Sequence, residues 1–148
     1  MAENTKNLLA EVTNYLSNND IDTWVFGGWA EEINGVIDPR SHKDIDLFYF
    51  DSNFEVVDKF LISENLPEIK GKHFRHKRAF EYNNVMVELF LVERDALGNY
   101  TNFWGKNKYY WPSDITGEVD GFNVILPKVL ETYRRDYQQI HNLQIELQ

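Results

Sequence analysis

Trp24-Val25-Phe26-Gly27-Gly28-Trp29-Ala30, followed after a short gap by Arg40-Ser41-His42-Lys43-Asp44-Ile45-Asp46-Leu47, sets the architecture of this chain. An apolar strand runs into a glycine pair, a turn whose backbone N–H groups can cradle phosphates at the start of a short helix. The second half carries two carboxylates in an apolar strand. Strand side chains alternate with period two, so Asp44 and Asp46 point one way while Ile45 and Leu47 point into apolar packing. Like charges at neighbouring positions on one face repel unless a cation sits between them. A divalent ion is the natural partner, and Mg²⁺ usually takes one or two carboxylates together with substrate phosphates. Together the two halves point to a metal-nucleotide site. Taken singly, Asp-x-Asp is commonly a solvated strand end and Gly-Gly a plain turn. The argument rests on their conjunction with the basic run.

Outward from this segment the pattern alternates between helix and strand. Residues 4–18 read as an amphipathic helix with Leu8, Leu9, Val12, Tyr15 and Leu16 on one face, stopped by Asn18-Asn19-Asp20. A short helix over Trp29–Asn34 follows the glycines and ends near Gly35, and Pro39 breaks the chain before a strand over Asp44–Phe50. Residues 54–64 form a second amphipathic helix that turns Phe54, Val57, Phe60 and Leu61 inward. Residues 72–82 and 85–92 read as a hairpin with Asn83-Asn84 as its turn. Residues 99–126 suggest short strands and loops, and Pro127 opens a terminal helix to about His141. No repeat or interdomain linker is evident, so residues 1–148 are expected to form a single domain.

Composition narrows the class. With 43% hydrophobic and 15% aromatic residues the chain should fold around a real core. No run approaches the roughly 20 apolar residues of a membrane span, and there is no signal-peptide pattern, so a cytoplasmic protein is expected. The absence of cysteine excludes disulfides and thiolate metal sites. A net charge of −9 argues against a nucleic-acid partner, since the one dense basic cluster is Lys70–Arg78. An acidic surface suits a cationic small molecule, and it also simply keeps a protein soluble.

The segment from Gly27 to Asp46 resembles the signature of the DNA polymerase β-type nucleotidyltransferase superfamily. It is most similar to the small lincosamide and aminoglycoside nucleotidyltransferases (adenylyltransferases) of antibiotic resistance. Their pattern is Gly-Gly-Trp-(Gly/Ala), a spacer, then Arg-x-His-(Arg/Lys)-Asp-(Ile/Leu)-Asp, and every element is present here. The resemblance implies an α/β (α+β) nucleotidyltransferase fold, a small mixed β-sheet flanked by helices. It also implies transfer of a nucleoside monophosphate, as AMP from ATP or from another triphosphate, to a hydroxyl of a small molecule. Mg²⁺, as two ions, would be held by Asp44 and Asp46. In this pattern Gly27, Gly28, Arg40 and His42 bind the triphosphate, and an Arg fork suits phosphate oxygens. Lys43 is contiguous with them but alternates to another face, where a surface lysine is the simpler reading.

Such sites need a third acid, to ligate a metal or to take the acceptor's proton. Glu88 lies in Val85-Met86-Val87-Glu88-Leu89-Phe90, a strand so apolar that an ionised carboxylate needs a reason. The resemblance places an acid there; the alternative is a half-exposed strand with Glu88 facing solvent. Arg78, just upstream, is the expected basic residue of this side, unless the run Arg75-His76-Lys77-Arg78 merely protects a hairpin edge. Trp29 could line the pocket or belong to the core. Tyr100, Phe103, Trp104, Tyr109, Tyr110 and Trp111 could stack on a ligand or close the core. By resemblance Tyr133 and Arg134 face the acceptor side. His73, His76 and His141 lack metal-ligand spacing. A homodimer is the expected assembly, the second subunit finishing the acceptor pocket. Two other readings remain open: a minimal nucleotidyltransferase of a toxin–antitoxin pair that modifies a protein, and a degenerate nucleotide-binding relative.

Overall fold

Leu8, Leu9, Val12 and Leu16 recur at helical spacing and are all buried on α1 (Lys6–Ser17). Thr5 caps this helix, its hydroxyl accepting the Leu8 N–H at 3.1 Å. The structure is a computed structural model and describes residues 3–146. After α1 come β1 (Thr23–Phe26), α2 (Gly27–Ile33), β2 (Asp44–Phe50) and α3 (Glu55–Ser63). Next are β3 (Lys77–Tyr82), β4 (Val85–Asp95), β5 (Gly98–Phe103), β6 (Asn107–Tyr110), β7 (Thr116–Val119), β8 (Phe122–Ile125) and α4 (Pro127–Glu146). The eight strands form one mixed sheet in the order β6-β5-β4-β2-β1-β8-β7, with β3 also paired to β4. The expected α/β architecture, a mixed sheet with helices beside it, is what forms.

Several boundaries differ from expectation, each for a local reason. α2 starts at Gly27 itself, because Gly27 takes a left-handed φ of +63° and turns the chain straight from strand into helix. The first hairpin strand starts at Lys77, since Lys70–Lys72 coil into a turn of 3-10 helix. Asn83 and Asn84, at φ +49° and +63°, make the two-residue turn expected of them. The region 99–126 forms four short strands with turns between them, as expected, while α4 runs past His141.

β2 and β4 form the centre. They pair in parallel, with Ile45 opposite Val87 and Leu47 opposite Leu89. All four are fully buried, as parallel strands covered on both faces require. On the other face Phe26 stacks on Phe48 with ring centroids 4.3 Å apart, and Tyr133 of α4 meets Phe26 edge-on at 5.2 Å. Thus α4 covers the face that also carries the even-numbered residues of β2. The aromatic stretch closes this core. Trp111 Nε1–H donates to Thr101 Oγ1 at 2.9 Å, Thr101 donates to the Leu91 carbonyl at 3.0 Å, and Tyr109 donates to Asp136 of α4 at 2.5 Å. Trp29 is also core: it is buried and donates to Asn4 Oδ1 at 2.9 Å, while Asn4 donates to the Asp44 carbonyl. Among the described residues no helix is long and apolar enough to cross a membrane.

His76 is buried among Phe74, Phe90, Phe103 and Trp104, and its Nδ1 accepts the Trp104 backbone N–H at 2.9 Å. That bond fixes a neutral ring, and burial pushes its pKa down to about 3. The unfolded chain, titrating near 6.5, therefore binds a proton that the native state refuses, so stability rises with pH between those values. Lowering the pH from 7 to 5 should cost about 2 kcal/mol through this residue alone. Urea unfolding at both pH values checks this. His76→Gln should remove that share of the pH dependence, and an unaltered slope would contradict the assignment.

Candidate active site

The β2–β4 register places Asp46 directly opposite Glu88, and Asp44 opposite Met86 on the same face. β1 brings Phe26 across from Asp46 on the other side, so the glycine turn that follows lands beside the carboxylates. Gly27 sits so close to Asp46 that a Cβ would collide with Oδ2. Two requirements, a positive φ and this close approach, make glycine the fitting residue. Gly28 is similarly crowded, by His42 Nδ1 at 2.9 Å and the Arg40 guanidinium at 3.3 Å from a would-be Cβ.

These groups open into a cleft of about 670 Å³. Its walls include Gly27, Gly28, Arg40, Asp44, Asp46 and Glu88, with Lys72 and Lys77 on one side and Glu31 with Tyr133, Arg134, Tyr137 and His141 on the other. Lys72 Nζ donates to Glu88 Oε1 at 2.5 Å, and Lys77 Nζ lies 3.5 Å from Oε2. Across the cleft Arg134 of α4 donates to the buried carboxylate of Glu31. First-turn N–H groups of α2 have no side-chain cap.

The electrostatics divide the three acids. Burial and then the adjacent Glu88 carboxylate push Asp46 well above the ordinary carboxylate range, and the same two causes raise Asp44. Burial would raise Glu88 too, but Lys77 and the hydrogen bond from Lys72 outweigh it and leave Glu88 below its usual value. Burial raises the Tyr133 phenol, and nearby Asp46 and Glu88 add to that, so it stays neutral. Among the described residues no three His, Asp or Glu side chains stand as a ready metal cage; Glu88 is held by the lysines instead.

Most of the expected site residues meet here: Asp44, Asp46, Glu88, Gly27, Gly28 and Arg40 all line the cleft. His42 lies behind it. Residues 41–43 precede β2, so strand alternation does not govern them, and the His42 ring packs 4.1 Å from Trp29 with Nε2 bonded to Glu32 at 2.8 Å. Lys43 is exposed and lies outside the lining. Arg78 is placed on the opposite face of the sheet, where it forms two bonds with Asp58, at 2.7 and 3.2 Å, and lies over the Phe54 ring. The turn explains this. Pairing Tyr82 with Val85 sets Ala79 against Glu88 and Lys77 against Phe90, so odd-numbered residues of β3 share Glu88's face. Counting back from Asn83-Asn84 would have selected Lys77. Lys72 and Glu31 were missed because no local pattern announces them.

Residues 8–101 match the model of the aminoglycoside-2''-adenylyltransferase family. No curated protein matches the sequence significantly. Among solved structures the chain is similar to the lincosamide antibiotic adenylyltransferase LnuA in its lincomycin-bound crystal form. The TM-score is 0.73 at 14% identity, covering 97% of this chain and 98% of that one. It is also similar to ANT(2'')-Ia in complex with adenylyl-2''-tobramycin, with TM-score 0.63, 11% identity and 89% and 76% coverage. A Thermotoga maritima protein described as a nucleotidyltransferase gives TM-score 0.62 at 16% identity, over 94% and 88%. At such identities these likenesses establish a shared fold.

The geometry yields a direct test. Gly27→Ala should force Asp46 aside and strain the turn, lowering stability by about 1–2 kcal/mol in chemical denaturation. An unchanged midpoint would contradict the crowding described.

Proposed function

This chain belongs to the aminoglycoside-2''-adenylyltransferase family, and on that premise we propose that it transfers AMP from ATP to a hydroxyl of a small antibiotic-like acceptor. The observation that carries the proposal is the convergence of Asp44, Asp46 and Glu88 with the glycine turn and Arg40 in one cleft. Asp44 and Asp46 present hard oxygen donors on one face and, among the described residues, form no ion pair with a lysine or arginine. That donor set fits Mg²⁺, which when bound would offset the negative charge that develops during transfer. Arg40, together with the backbone N–H groups at the start of α2, where Gly27 and Gly28 line the cleft, orients the phosphates. His42 holds Gly28 and Glu32 in place rather than touching the ligand. The acceptor hydroxyl oxygen attacks the α-phosphorus as its proton passes to Glu88. The bond to the bridging oxygen breaks, and pyrophosphate leaves with the electron pair.

The wall made by Tyr133, Tyr137 and Arg134 offers aromatic surface for the acceptor. The net charge of −9 suits an acceptor carrying amines. A cytoplasmic, homodimeric enzyme completes the reading.

Asp44→Asn and Asp46→Asn should each lower AMP transfer by a factor on the order of 10³ while leaving the fold intact. Pyrophosphate release from ATP with lincosamide and aminoglycoside acceptors measures it, with circular dichroism as the fold control. A double variant with undiminished turnover would sink the assignment.

A further inference from the structure

Glu88 is held at both oxygens by lysines that line the same cleft as the glycine turn, Lys72 at 2.5 Å and Lys77 at 3.5 Å. We propose that Lys72 and Lys77 are further ligands for the triphosphate, beside Arg40, and that Glu88 competes with its phosphates for them. This rests on the reading of the cleft as a triphosphate site.

Charge supports the assignment. The cleft is lined by four carboxylates, Glu31, Asp44, Asp46 and Glu88, by four lysine or arginine side chains, Arg40, Lys72, Lys77 and Arg134, and by His141. Arg134 is engaged by Glu31 on the far wall. A polyanion entering among carboxylates needs cations that can turn toward it, and the lysines are the ones that share the acidic wall. Their settings differ. The Lys72 side chain is 39% exposed on a single 3-10 turn, whereas Lys77 is 17% exposed, with its ammonium over the Phe90 ring at 4.8 Å. Lys72 is therefore the freer of the two to follow a phosphate, and Lys77 the fixed point. An ammonium cannot serve Glu88 and a phosphate at full strength at once, so entry of the triphosphate loosens the lysines from Glu88. The third acid is thereby released in step with nucleotide arrival.

The test uses metal-free conditions, so it does not depend on turnover. Calorimetry with inorganic tripolyphosphate and with ATP, in excess chelator, compares the wild type with Lys72→Met, Lys77→Met, the double lysine variant, Glu88→Gln and the triple variant. Lys59→Met, an exposed lysine of α3 remote from the cleft lining, controls for overall charge. Each cleft lysine variant should weaken tripolyphosphate on the order of tenfold. Lys59→Met should leave it unchanged. Glu88→Gln should tighten binding, and that gain should vanish when both lysines are gone. Urea midpoints confirm that each variant is folded. A gain from Glu88→Gln that survives in the triple variant would be general charge removal and would overturn the competition. Wild type that ignores tripolyphosphate, or lysine variants that bind it as well as wild type, would overturn the ligand assignment. AMP transfer lost in the Asp44 and Asp46 variants would stand regardless of these outcomes, so the two readings fail separately.

Discussion

The pairing of β2 with β4 brings the carboxylates of Asp46 and Glu88 side by side in a half-buried cleft, and much of the molecule is arranged around that unfavourable contact. Two adjacent anions partly removed from water are costly in a protein. The surroundings answer each in its own way. Glu88 is neutralised by two ammonium groups, while Asp46 is driven toward its protonated form. Gly27 gives up a side chain so that the turn can approach Asp46 at all. A hydrophobic layer of fully buried residues under β2 and β4 fixes the register that creates the conflict. Slipping β4 by one residue would turn Glu88 into that layer and Val87 into the cleft.

The cleft is thereby polarised across its width. One wall, from β2, β3, β4 and the 3-10 turn that carries Lys72, gathers acids and lysines. The other, from α2 and α4, offers Tyr133, Tyr137 and the Glu31–Arg134 pair. A metal-bound polyanion suits the first and a larger, partly aromatic-contacting molecule suits the second, so the two walls sort two substrates by chemistry. His42 illustrates how little of the motif needs to touch a ligand. Its imidazole is wedged between Trp29 and Gly28 and tied to Glu32, a brace for the turn.

How far the amino-acid sequence discloses this arrangement depends on the range of the interaction. Local features were legible: alternation in Asp44–Phe50 put the two aspartates on one face, and Asn83-Asn84 announced a hairpin. The place of Glu88 was also legible, because an acid in an apolar strand demands a partner. What misled was parity. Arg78 looked suitable by type, yet the hairpin register sends it under the sheet to Asp58 and brings Lys77 forward. Lys72 could not be found from spacing, since its position follows from a 3-10 turn where a strand had been expected. Glu31 and Arg134 meet across 103 residues of chain, a distance over which no local pattern speaks. The aromatic stretch was ambiguous by composition and was decided by four strands and α4 closing upon it.

That same long-range pair bears on how the protein comes into being. β1, α2 and β2 emerge early from the ribosome with the glycine turn and both aspartates already in sequence. Their facing wall belongs to α4, and the strand β8 that pairs with β1 is also made late. Contacts of large sequence separation close last, after the entropy of a long loop has been met. The nascent chain thus carries the acidic half of its cleft, with Phe26 and Phe48 uncovered by Tyr133, until α4 has been made. During synthesis this apolar patch is a surface in need of shelter from other chains.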